Sequence, residues 1–171
     1  MKTFIKFFIV GLLSAAGFAN AAAELKCCKV IFFGNESCIE YHAYAGPDGD
    51  QVALHLLGRE RINVAVYEPE GGALPRIVSV FTSGKSPKKL FVIVAWRSDN
   101  SVLNTGGSVF QVFVYDEKME YSKGSPSLVE DTLLGNRFGA GFDGIREGKR
   151  ISYKYKNAES VRRQLVTWKY R

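Results

Sequence analysis

The sequence predicts a mainly β (α+β) fold, a single-domain antiparallel β-sheet or sandwich with one short C-terminal helix. Three observations carry that expectation. Segments rich in β-branched and aromatic residues recur along the chain, each bounded by Gly, Pro, Asn or Ser. The gaps between most of them are short and filled with turn residues, which suits antiparallel neighbours, because a parallel crossover needs about a dozen residues or more. Only the last segment spaces its apolar residues as a helix does.

The chain opens on a different signal. Lys2 and Lys6 precede an apolar run, Phe7 to Leu13, which Ser14 to Phe18 continue. Ala19-Asn20-Ala21 and Ala21-Ala22-Ala23 both fit the small-x-small pattern that a signal peptidase cuts after. The apolar core is too short to span a bilayer comfortably. Residues 1–21 therefore read as a cleaved secretory leader, with a cut after 23 as the alternative, and 22–171 as one β-rich domain. Of the 171 residues, removal of the first 21 leaves 150, enough for a single core. The expected location is periplasmic or secreted, a compartment where disulfides form.

Strands are expected at Lys29–Phe33, Ile39–Tyr44, Val52–Leu57 and Arg61–Tyr67, with GPDGD turning between the second and third. EPEGGALP leads into Arg76–Thr82, and TSGKSPK into Lys89–Trp96. The run KKLFVIVAW has no polar alternate, so it should be central and buried on both faces. SDNSVLNTGG then reads as a loop before Ser108–Tyr115. The glycine-rich stretch Gly135 to Gly148 is expected to be irregular, with its phenylalanines as anchors. Arg150–Lys156 alternates Ile151, Tyr153 and Tyr155 with polar residues, as a strand with one wet face. Asn157 can cap the final helix, Glu159 suits its first turn, and Val161, Leu165 and Trp168 form its apolar stripe. A strand at Leu165–Tyr170 is the competing reading of that segment.

Three cysteines, Cys27, Cys28 and Cys38, lie close together near the mature N-terminus. A bridge between neighbours 27 and 28 would be strained, so Cys38 is expected to pair with Cys28, or with Cys27 as the alternative, leaving one thiol. Closing a loop of about ten residues is worth roughly 2–3 kcal/mol in the chain-entropy model.

FTSGKSPKKLFVIVAW followed by SVFQVFVYD resembles one repeat of the propeller-like FG-GAP family, in which an acidic metal loop precedes a long apolar strand and a second strand. Ser83, Lys85 and Lys88 stand where that loop would carry acids, so no metal and no function transfers from the resemblance.

The chemistry of sites is sparse. Glu40 and His42 share a strand face and His55 lies further on, but no zinc-type spacing accompanies them. Asp48-Gly49-Asp50 lacks the later oxygens of a calcium loop, Val52 and Leu54 following instead. There is no GxSxG elbow and no phosphate-binding glycine fingerprint. No catalytic residue, metal site or cofactor is therefore expected. The aromatic residues on or beside loops are the remaining clue, as contact anchors or as core filling. Trp96, Arg97, Tyr121 and Phe138 are the candidate partner-binding residues. The formal charge of +6 falls to +4 when the leader takes two lysines with it, a mild excess without a nucleic-acid-type basic run. The mature chain has no second apolar segment of about 20 residues, so no transmembrane segment is expected.

These readings lead to an exported non-enzymatic protein that binds another macromolecule, probed most concretely as an immunity or inhibitor protein against a toxin or hydrolase. The expected partner is a protein of the cell envelope and not a nucleic acid. The alternatives are a structural or adhesive envelope protein binding polysaccharide or lipid, and a small hydrolase using His42 or His55.

Overall fold

The computed structural model describes residues 24–32, 34–47, 49–84, 88–120 and 125–170. The leader expected over 1–21, and Tyr121, lie outside the described residues.

Two antiparallel sheets stack, and two helices cover the outer face of the second. The first sheet is a four-stranded meander of β1 (Glu24–Phe32), β2 (Asn35–Gly46), β3 (Gly49–Leu57) and β4 (Arg61–Tyr67), in that spatial order. The second contains β5 (Pro75–Ser83), β6 (Lys89–Asn100), β7 (Thr105–Glu120), β8 (Ser125–Glu130), β9 (Ala140–Arg146) and β10 (Lys149–Ile151). Its order is β10-β9-β7-β6-β5, with β8 also paired to β7. The helices are α1 (Thr132–Phe138) and α2 (Ala158–Thr167). Short turns link successive strands through the first sheet, as the turn chemistry requires.

The residues of β6 explain the layering. Leu90, Val92, Val94 and Trp96 point to one side, into a core shared with Phe32, Ile39, Leu54, Leu56 and Val64 of the first sheet. Phe91, Ile93 and Ala95 point to the other, into a second core with Phe110, Val112, Leu134, Phe138, Val161 and Leu165. A strand between two dry layers has no position for a polar alternate, which is why KKLFVIVAW reads as a continuous apolar run. Polar contacts also cross the sandwich: the buried Tyr67 and Tyr115 hydroxyls meet at 3.0 Å, and Trp96 Nε1 donates to the Glu68 carbonyl at 2.8 Å.

The C-terminal helix forms as its sequence suggests. Asn157 Oδ1 accepts from Ser160 N at 2.9 Å, and Val161 and Leu165 are buried against the second sheet. Three expectations need correction. The stretch from Gly135 to Gly148 is regular for most of its length, holding the end of α1 and all of β9. Asp131 starts α1 by accepting from Leu134 N at 2.9 Å, and Leu134 and Phe138, four apart, dock into the second core. The strand expected over Arg150–Lys156 ends at Ile151. Asp143 draws the chain off the sheet there by accepting from Ser152 Oγ, from Tyr153 N and from Lys156 Nζ at 2.7 Å. Tyr153 and Tyr155 then pack beside the helices. Finally, the loop expected after Trp96 is mostly strand: β6 and β7 continue their pairing out to Asn100 and Thr105.

β7 is long enough to serve two partners along one edge. Its first half pairs with β9 and its second half with β8, and α1 bridges the two.

Candidate functional site

The β6–β7 hairpin projects past its neighbour. β5 begins opposite Trp96, so residues 97–100 of β6 pair with β7 alone. The tip is a tight turn over Ser101–Asn104, with Asn104 at φ 45° and Asn100 Oδ1 accepting from Leu103 N at 3.0 Å. Asparagine tolerates the left-handed conformation better than most residues, which suits it to that position. The tip is braced from one side: Gly148 N donates to the Asn104 carbonyl, and Glu147 N to Thr105 Oγ1, both at 3.1 Å.

On this braced tip the apolar side chains face water. Val102 is 91% exposed and Leu103 55%. Ile145 and Ile151 of the adjoining β9–β10 hairpin are also exposed. Arg97 and Asp99 stand on β6 and Arg146, Lys149 and Arg150 on the β9–β10 hairpin, with Glu147 in its turn. Arg97 Nε donates to Asp99 Oδ2, and its side chain is 76% exposed. This end of the second sheet thus carries an exposed aliphatic pair on paired strands, with more basic than acidic residues on the two hairpin ends.

The other candidate contact residues lie elsewhere. Trp96 is buried, its ring tilted against Phe113 and its N–H spent on Glu68. Phe138 is buried in an aromatic cluster, 4.9 Å from Trp168 and 5.1 Å from Tyr155 between ring centroids. Both fill cores, the reading that loop aromatics left open. The tip residues Val102 and Leu103 gave no sequence signal of their own, because two aliphatics in a polar stretch look like any buried pair until the turn is placed.

The cysteines stand on the first hairpin. Lys26 is opposite Ile39 and Val30 opposite Ser37, so a bulge sets Cys27, Cys28 and Lys29 against the single position Cys38. The side chains of Cys27 and Cys28 lie outside the described residues.

A second polar cluster occupies the outer face of the first sheet. Glu40 and His55 are directly opposed in register, and His42 is two residues along from Glu40. The His42 and His55 rings stack at 5.3 Å, 16° from parallel. His55 Nδ1 lies 2.9 Å from Asn63 Oδ1. An amide oxygen only accepts, so Nδ1 carries the proton and Nε2 is left as an acceptor. Burial lowers the His55 pKa, the Asn63 hydrogen bond opposing it and Arg61 and His42 adding to it. Beside these rings Tyr44, Ala53, Arg61, Asn63, Ala65 and Val66 line a cavity of about 410 Å³. Among the described residues no three His, Cys, Asp or Glu side chains are grouped to hold a metal ion, and no helix is long and apolar enough to cross a membrane.

Comparison of the chain with protein-family models, with curated proteins and with solved structures finds no match.

Proposed function

We propose that this is an exported, non-enzymatic binding protein of the cell envelope whose contact surface is the end of the second sheet. Its concrete form is an immunity or inhibitor protein that sets the β6–β7 tip against a toxin or hydrolase. The observation that carries the reading is the exposure of Val102 and Leu103 on a braced, fully paired hairpin. A soluble protein gains nothing from an aliphatic pair held rigidly in water, whereas a partner pocket gains burial without the cost of ordering a loop. The basic residues around the tip favour a partner with an acidic rim and disfavour a basic one.

The test is capture from an envelope extract by the mature chain and by a Val102→Asp, Leu103→Asp double variant of unchanged melting temperature. The reading expects one protein retained stoichiometrically by the native chain and lost by the variant. Retention of the same protein by both, or retention of glycan or lipid alone, would move the function to one of the other envelope-binding readings.

A further inference from the structure

The outer face of the first sheet holds a pair of polar atoms that the fold leaves without hydrogen bonds. His55 is 9% exposed, and its Nε2 is buried with no hydrogen-bond partner. Glu40 Oε2 is buried and equally without one. The Arg61 guanidinium lies 3.1 Å from that oxygen as an ion pair, yet without hydrogen-bond alignment. Buried polar groups are seldom left this way, and each instance calls for an explanation.

We propose that Glu40, His42 and His55 form a one-proton switch on this face: a proton taken from water by His55 Nε2 turns that atom into a donor, draws Glu40 Oε2 onto it, and releases Arg61 at the mouth of the cavity. The reading goes beyond the binding function and uses none of the hairpin end. Three features of the geometry support it. Nδ1–H is committed to Asn63, so Nε2 is the ring atom that can take the proton. Glu40 occupies the register position directly opposite, on the neighbouring strand. His42 stacks on the same ring, so a positive charge on one ring opposes a positive charge on the other.

The groups facing His55 are Glu40, His42 and, further along, Tyr44 from β2, with Arg61 and Asn63 from β4. Glu40 favours the charged ring; Arg61 and His42 oppose it, as does burial. Protonation therefore waits until below the ordinary histidine range. When it comes, Glu40 exchanges a surface-facing partner, Arg61, whose side chain is half exposed, for one in the sheet interior. The cavity then presents a free guanidinium. Acidification adds positive charge to a face that is internally neutralised at neutral pH.

The switch is tested by titrating the imidazole and carboxyl resonances of the mature protein by NMR from about pH 8 to about pH 5, across the histidine range. The expected result is an Nδ1–H tautomer for His55 at neutral pH, one protonation with a midpoint below 6.5, and a step in the Glu40 carboxyl shift at that same midpoint. In His55→Gln, the Glu40 step should vanish. Glu40→Gln, which keeps both rings, should lower the His55 midpoint and serves if His55→Gln fails to fold. A His55 midpoint at or above 6.5, or a Glu40 shift that ignores His55, would overturn the proposal.

Discussion

At the scale of single residues, the histidine cleft and the cysteines make predictions that chemistry alone can check. Folded His55 resists a proton that the unfolded chain accepts near 6.5. Between the lowered folded value and 6.5 the unfolded state binds more protons, so stability rises with pH through that window and is full above it. Denaturant midpoints measured on either side of the window should therefore separate more in the native protein than in His55→Gln. At neutral pH the same variant should bind the proposed partner within about threefold of native affinity, near 0.6 kcal/mol, since the cleft and the hairpin end lie on different sheets. The cysteine register leads to a second outcome. Peptide mapping without reduction should find Cys38 joined to Cys27 or Cys28, and Cys38→Ser should lose roughly 2–3 kcal/mol. Three alkylatable cysteines in the native protein would contradict that pairing. The sequence reveals Glu40 and His42 on one strand face, because period two is local. It hides His55 opposite Glu40, because register between strands depends on turn and bulge geometry that alternation does not encode.

At the scale of elements, the second sheet and its helices depend on a few close approaches. A Cβ at Gly141 would lie 2.1 Å from the Tyr153 ring, whose hydroxyl donates to the Phe138 and Gly139 carbonyls. Gly141→Ala should therefore destabilise the protein by about 1–3 kcal/mol, the usual cost of overpacking, and its thermal midpoint should fall further than that of Gly106→Ala, whose added Cβ would meet its nearest neighbour at an ordinary 3.5 Å. Leu165→Ala, which empties a fully buried site under α2, should cost about 2–5 kcal/mol. The Lys156 hydrogen bond holds the Asp143 carboxyl below its ordinary range, and Lys89 does the same for Asp131 against the opposing effect of burial. Their stabilisation is present above the ordinary carboxylate pKa and fades as pH falls through the lowered values. The element reading from sequence succeeded where patterns were long. KKLFVIVAW, Val52–Leu57 and the Asn157-capped helix sit where their residues place them. It failed from Gly135 to Gly148, where glycines allow close strand contact at Gly107 and Gly144 rather than breaking structure, and at Tyr153, where Asp143 overrides the alternation.

At the scale of the whole molecule, three layers share one strand. β6 contributes alternate residues to both cores, so the support beneath the hairpin end is the most buried segment described. That rigidity is what makes Val102 and Leu103 informative, since their exposure is fixed by paired strands and a braced turn rather than by a loose loop. The sandwich itself was legible in composition and turn spacing. The protruding end was not, because SDNSVLNTGG contains turn residues throughout and only pairing across the hairpin shows which four make the turn. Charge acts at this scale too: the excess of basic residues on the two hairpin ends should make association with an acidic partner slow markedly with added salt, an effect read in the on-rate. The most direct measurement of the central claim is the affinity of the proposed protein partner, once captured, for Leu103→Asp and Arg97→Ala beside the native chain, with melting temperatures recorded for each. The account predicts that Leu103→Asp weakens binding by about thirtyfold or more, the equivalent of about 2 kcal/mol at a true anchor, and that Arg97→Ala weakens it less, both at unchanged melting temperature. Affinities within about threefold of native for both variants would contradict it and remove the hairpin end from the binding surface.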